Sequence, residues 1–385
     1  MLKELGRIIK AGKDMNKTEI KATCPVMPDL NSYIQEIQSI WTNGIMTNNG
    51  EKVKKFGEML SDHLKCENVD LFVNGHSALL LAIKIMDLQG EVITSPFTFT
   101  STTNAIVQSG LTPVFGDINE SYNLCPESVE ELITPNTCAI ITPHIFGIPC
   151  DVERIGEIAK RHELKVIYDG AQAFGTLVKG KPICAYGDIT MFSFHAIKVF
   201  NSIEGGALVY RDHALHRLLE LYRNFGVSYG EESNDVLTCG MNAKMNEFQA
   251  AMGIVNLPLH DIEVAKRKKL AQIYCESLQG VEGIHTYPYK KENDYNYAYF
   301  PIKVTEEYGR TRNELWKRLK ECGIETRKLY DKLTCDYSCY KNRDYVRKTE
   351  YADRVKDITL DLPMYGTLTT EEVVYICERI KELRN

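Results

Sequence analysis

Between about residues 51 and 256 short β-rich runs alternate with helical patterns, and the runs are apolar on both faces. LFV, EVITSP, TPVFGDI, AIITPHIFG, KVIYDG and ITMFSF are each followed by turn residues, while EKVKKFGEMLSDHL and SALLLAIKIMD repeat apolar residues at three- and four-residue steps, as amphipathic helices do. A strand without a polar face must be covered on both sides, and strands linked by helices pair in parallel. The pattern therefore predicts an α/β fold with a large, mostly parallel sheet. Ligands of such sheets sit beyond the carboxyl ends of the strands, so chemistry is sought in the loops leaving those ends.

The alternation stops at Leu257-Pro258. LHDIEVAKRKKLAQIYCESLQ then reads as a long helix leaving the sheet, followed by PIKVT, a helix around RNELWKRLKECG and a last helix in TEEVVYICERIKELR. These segments predict a smaller C-terminal α/β domain. The expected division is an N-terminal extension over 1–24, a large domain over 25–257, and the long helix with the small domain over 258–385. The chain has 385 residues, ample for two cores.

A net charge of −6 disfavours nonspecific nucleic-acid binding. No apolar run approaches the roughly 20 residues of a membrane helix, and MLKELGRIIKAGKDMNKTEIK lacks the apolar core of a signal peptide. No nucleic acid and no membrane is expected as a partner, and the cytoplasm is the expected compartment. The 12 cysteines are scattered without a C-x-x-C pair, mostly inside apolar runs such as TCAIITP and YICERI. They read as buried reduced thiols rather than a disulfide frame or a metal site, and Cys335 and Cys339, in a polar stretch, carry no metal expectation either.

The stretch from Val166 to Lys198 carries the strongest chemistry. Asp169 closes the run KVIYD, where an unpaired carboxylate is costly to desolvate. Lys198 lies just beyond ITMFSF. A buried acid can hold a protonated pyridine nitrogen, and a lysine amine can form a Schiff base with an aldehyde. Pyridoxal phosphate chemistry requires both groups. Each also has an ordinary reading: an aspartate capping a turn and a solvated surface lysine. Gln172 could hydrogen-bond the ring's 3-oxygen. Ser193, five residues before Lys198 and on the strand face of His195, could bind a phosphate, and Gly205-Gly206 permits close backbone approach.

Other segments add to this. VNGHSALLLAI turns at Asn74-Gly75 and starts a helix near Ser77. Its free N–H groups make an anion site, or Ser77 is simply the N-cap. Phe97 and Phe99 alternate, so one can face the core, and an aromatic at a strand end can stack on a flat ring. CGMNAKMNEFQAAMG opens with a flexible turn and continues as an amphipathic helix from about Lys244, with Asn242 and Lys244 as polar groups at the expected loop. No G-x-G-x-x-G follows any predicted strand, which removes a dinucleotide-dependent oxidoreductase.

Taken in order, NGHSAL, PFTFTSTTNAI, PVFGDI, PHIFG, DGAQAFG, SFHAIK, EGG and GMNAKMNEFQAA resemble the DegT-type sugar aminotransferases from about residue 25 to the end. The resemblance implies pyridoxal 5'-phosphate as cofactor and the fold type I (aspartate aminotransferase-like) architecture. Lys198 would be the Schiff-base lysine and proton shuttle, Asp169 the pyridine partner and Gln172 the contact to the 3-oxygen or ring. Ser193 would bind the phosphate with the Gly75–Ser77 turn, and Phe99 would stack on the ring. Asn242 would reach the phosphate of a neighbouring subunit, because such enzymes build their sites across a homodimer interface.

His76 departs from the family, which has threonine or serine there, leaving the phosphate to backbone N–H groups and Ser77. Lys198 is intact, whereas sugar dehydratases of this fold carry histidine at that position. The implied reaction is a ping-pong transfer of an amino group from L-glutamate to a ketone of a nucleotide-linked deoxysugar for polysaccharide or glycan synthesis. The segments CPVMPDL, IWTNGIMTNNG and VKKFGEML are similar to the branch acting at C4 of dTDP-4-keto-6-deoxyglucose. Alternatives are a C3 aminotransferase acting on a dTDP-3-keto-6-deoxyhexose, UDP-linked sugars, and a non-catalytic cofactor-binding regulator.

Overall fold

The structure, a computed structural model, describes residues 19–229 and 234–384. Most of the expected N-terminal extension (1–18) therefore lies outside the described residues. Its end does not stand apart: Ile20 bridges Ile324, and the Ala22 N–H donates to Glu325.

Seven strands form the main sheet, in the order Val69–Phe72, Gly206–Tyr210, Ile189–Ser193, Lys165–Asp169, Thr137–Pro143, Glu91–Thr94 and Thr112–Phe115. All neighbours pair in parallel except Gly206–Tyr210, which is antiparallel to both of its own. GALVY, read from sequence only as a place of close backbone approach, is thus a sheet strand. Its predecessor is five residues long and the connecting loop carries Lys198.

Successive residues feed two different cores. Ile140, Val166 and Phe192 join Val53, Phe56, Ile155 and Ile158 from the helices Glu51–Leu64 and Val152–Arg161. Ile141, Ile167 and Met191 join Leu79, Ala82 and Ile106 from the helices Gly75–Ile85 and Thr100–Gln108 on the other face. Each such aliphatic or aromatic side chain contributes about 1.5–3 kcal/mol when fully buried. That two-sided burial explains why the strands lack a polar face.

After Asn256 the chain runs through the helix His260–Leu278 into an antiparallel sheet of Ile284–Thr286, Phe300–Val304 and Thr359–Leu362. Helices Arg312–Glu321 and Thr370–Glu382 cover it, with Leu270, Tyr274, Ile302, Leu319, Leu360 and Ile376 in the core. Among the described residues no helix is long and apolar enough to cross a membrane.

Two helix starts differ from expectation. The first begins at Gly75, because extended Asn74 caps it with a side chain that accepts from the Ser77 N–H. Ser77 is therefore not the N-cap. The other begins at Glu247 rather than near Lys244, where Asn246 and Gln249 form a reciprocal capping box.

Candidate active site

Asp169 is the centre of the site. It ends its strand at 6% exposure. Thr102 donates its hydroxyl hydrogen to Oδ2 at 2.7 Å, and the Ala171 N–H donates to Oδ1 at 3.1 Å. Burial nevertheless raises its pKa, against these two hydrogen bonds and the nearby charge of Lys198. A buried carboxylate held by neutral donors is a receptor for a cation brought from outside.

Lys198 leaves the strand end on a tight loop, its N–H donating to the His195 carbonyl at 2.9 Å. Its ammonium makes no hydrogen bond or ion pair among the described residues, yet lies close enough to act electrostatically on Asp169. A lysine kept without a partner beside a buried acid is available for chemistry. Gln172 and Lys198 line one small cavity with Asn296 and Tyr299.

The turn at Asn74-Gly75 and Ser193 form a second wall. A Cβ on Gly75 would come within 2.9 Å of the Ser193 Cβ, and one on Gly206 within 2.7 Å of the Gly75 nitrogen. Only glycine allows this approach. The Asn74 side chain occupies the Ser77 N–H at 2.8 Å. Among the described residues the N–H groups of Gly75 and His76 make no hydrogen bond, so the helix start offers these two, its dipole and the hydroxyls of Ser77 and Ser193 to an anion. His76 turns to Ser101, with Nδ1 2.8 Å from its hydroxyl, and burial lowers its pKa, so the ring is neutral near pH 7. It adds no phosphate charge.

The two phenylalanines separate as their alternation allows. Phe97 is fully buried against Tyr122, Phe146 and Tyr330, whereas Phe99 is 64% exposed at the start of its helix. Phe99 is three residues before Thr102, one helical turn from the residue that holds Asp169.

Gln172 has less freedom than a ring contact needs. Its Oε1 accepts from the Phe146 N–H at 2.7 Å, and its Nε2 donates to the Tyr330 hydroxyl at 2.5 Å. One amide hydrogen is left for another partner. Phe146 and Tyr330 both hold left-handed backbone, with φ of 60° and 62°, a cost that persists where the surroundings impose it.

The structure does not bring Asn242 to Asp169 or Lys198 within one chain. It is exposed, accepts from Lys244 Nζ at 2.7 Å and bridges Asn224. Thr102, Ser101 and Tyr330 were not singled out from the sequence. Helical spacing from Phe99 could have found Thr102, but Tyr330 is 158 residues from Gln172, and no local pattern connects them.

Everything here fits pyridoxal phosphate: an acid lacking a cation, a partnerless amine, an anion-binding turn and an exposed aromatic. Comparison with known proteins agrees. The DegT/DnrJ/EryC1/StrS aminotransferase family profile matches residues 29–381. A dTDP-4-amino-4,6-dideoxy-D-glucose transaminase of Shigella dysenteriae is 36% identical over 95% of this chain and 99% of its own, and one of Escherichia coli is 35% identical over 94% and 98%. Among solved structures, DesI in the presence of its TDP-sugar product superposes with a TM-score of 0.90 at 26% identity, covering 96% of this chain and 94% of its own. Helicobacter pylori PseC, an aminotransferase of pseudoaminic acid biosynthesis, gives 0.90 at 25% identity, covering 95% and 99%.

Proposed function

Because the chain belongs to the DegT/DnrJ/EryC1/StrS aminotransferase family, we propose that it moves an amino group from L-glutamate to C4 of dTDP-4-keto-6-deoxyglucose. It is a pyridoxal-phosphate-dependent nucleotide-sugar aminotransferase. The choice of C4 and of dTDP rests on two relatives named as dTDP-4-amino-4,6-dideoxy-D-glucose transaminases. The observation that carries the chemistry is the buried Asp169 within electrostatic reach of the partnerless amine of Lys198.

When bound, pyridoxal phosphate supplies an electron sink for the charge left on carbon as a proton departs. Asp169, held by Thr102 and Ala171, would keep the pyridine nitrogen protonated by pairing with it. Lys198 Nζ takes the proton from the α-carbon of the amino donor and, in the second half-reaction, returns one to the sugar carbon. The N–H groups of Gly75 and His76, with Ser77 and Ser193, would anchor the phosphate. Phe99 would shield one ring face, and Gln172, tied to Phe146 and Tyr330, would have only its remaining amide hydrogen to offer the ring.

A second copy of the chain completes the site in this reading. Phe99, Ile197 and Ile203 are exposed large apolar side chains on the loops that carry it, and a partner that covers them also excludes water. Asn242, with no site contact in its own chain, then reaches the phosphate bound by the partner. Incubating the loaded protein with L-glutamate and a panel of 3-keto and 4-keto dTDP- and UDP-sugars tests the assignment by mass and NMR. A 4-amino product from the dTDP substrate is expected. Amination at C3, or of UDP-sugars only, overturns it.

A further inference from the structure

His63 and His260 are far apart in sequence but meet in space. His63 sits in the last turn of its helix, and His260 and Asp261 open another. Ligand-capable atoms of the three lie within 4.8 Å of one another. The His63 ring stacks on Phe174 with centroids 5.6 Å apart and meets His260 edge-on at 5.1 Å. Beside them is a cavity of about 240 Å³ whose lining includes all three residues.

The hydrogen bonding of His260 is incomplete. The residue is 4% exposed, and its Nδ1 lies 3.0 Å from Asp261 Oδ1. If Nδ1 donates there, Nε2 is a buried acceptor facing no donor, and among the described residues it has no hydrogen-bond partner. Nε2 faces the 174–175 peptide: a Cβ on Gly175 would lie 2.5 Å from it. A cation at Nδ1 and Asp261 resolves this. It displaces the Nδ1 proton and moves it to Nε2, on the side of the 174–175 peptide, where ligating histidines usually find their outer partner.

We propose that His63, His260 and Asp261 bind a Zn²⁺ ion, with water completing the coordination. Two imidazoles and one carboxylate suit zinc, and exposed Asp261 gives an entry path. This departs from the sequence, in which no metal motif was found. The ion would tie the helices Glu51–Leu64 and His260–Leu278 to the turn of Gln172 and Phe174, whose carbonyls already accept from Asn296 at 2.8 and 3.0 Å. It is separate from the amino-transfer chemistry and does not depend on that reading.

The test uses the cofactor-loaded, tag-free chain mixed with Zn²⁺ and then passed through gel filtration. One zinc per chain retained by elemental analysis and a raised melting temperature are expected. Asp261→Asn, an exposed change that leaves the fold intact, and His63→Ala lower zinc affinity about 10-fold or more, whereas Cys184→Ser, in the same cavity, does not. No retained zinc, or unchanged affinity in both His63→Ala and Asp261→Asn, overturns the proposal and leaves only aromatic packing.

Discussion

Gly75 lies so close to Ser193 that a Cβ placed on it would sit 2.9 Å from the serine Cβ and 2.9 Å from Met191 Sδ. Two segments 118 positions apart thus share one surface, with the first strand's turn pressed onto the end of another. Gly75→Ala pushes the turn off Ser193, and overpacking of this kind costs about 1–3 kcal/mol. Cofactor titration and a denaturation midpoint check it: both should fall, cofactor affinity more steeply. Unchanged affinity means the turn does not hold the phosphate.

Asp169→Asn is expected to cut turnover by about a hundredfold or more, because an amide cannot hold the pyridine nitrogen protonated. Near-normal turnover would show that the pyridine partner is misassigned.

The same substitution has an opposite effect on the cofactor-free protein. Burial raises the Asp169 pKa above its unfolded value of 3.8, so between the two values the folded state binds more protons than the unfolded one. Stability is then full below the unfolded pKa and is lost as pH rises through the folded one. Apo Asp169→Asn should melt above apo wild type at neutral pH, with the gap closing as pH falls towards 4. A gap that widens on acidification contradicts the burial argument.

Tyr330→Phe removes the hydroxyl that receives the Gln172 amide and leaves the ring packed on Phe97 and Phe146. A lost hydrogen bond of this type is worth about 1 kcal/mol, or roughly a fivefold fall in kcat/KM, with little change in melting temperature. A large loss of stability with normal kinetics would make Tyr330 a purely structural residue.

Much of this was legible in the chain because local rules carried it. The runs KVIYD and ITMFS lack a polar face because Val166 and Phe192 enter one core and Ile167 and Met191 the other, and that placed Asp169 at one strand end and Lys198 just beyond another. The alternation of Phe97 and Phe99 left one of them for the core, and the structure buries Phe97. Of the two readings open for Ser77, the N-cap fails because Asn74, one residue before the glycine, caps that helix start. GALVY escaped as a strand because an antiparallel partner in a parallel sheet gives no helical crossover to announce it. Tyr330 and the His63–His260 pair were invisible for a more general reason: each contact joins distant segments through tertiary packing, and spacing in the sequence records nothing of it.

The whole account turns on which amine meets the cofactor. Borohydride reduction of the pyridoxal-phosphate-loaded protein, followed by peptide mass mapping, reads this directly. The expected result is one modified peptide, spanning Lys198, and none in Lys198→Ala. A label on another lysine, or no label on a protein that still transfers amino groups, would contradict it.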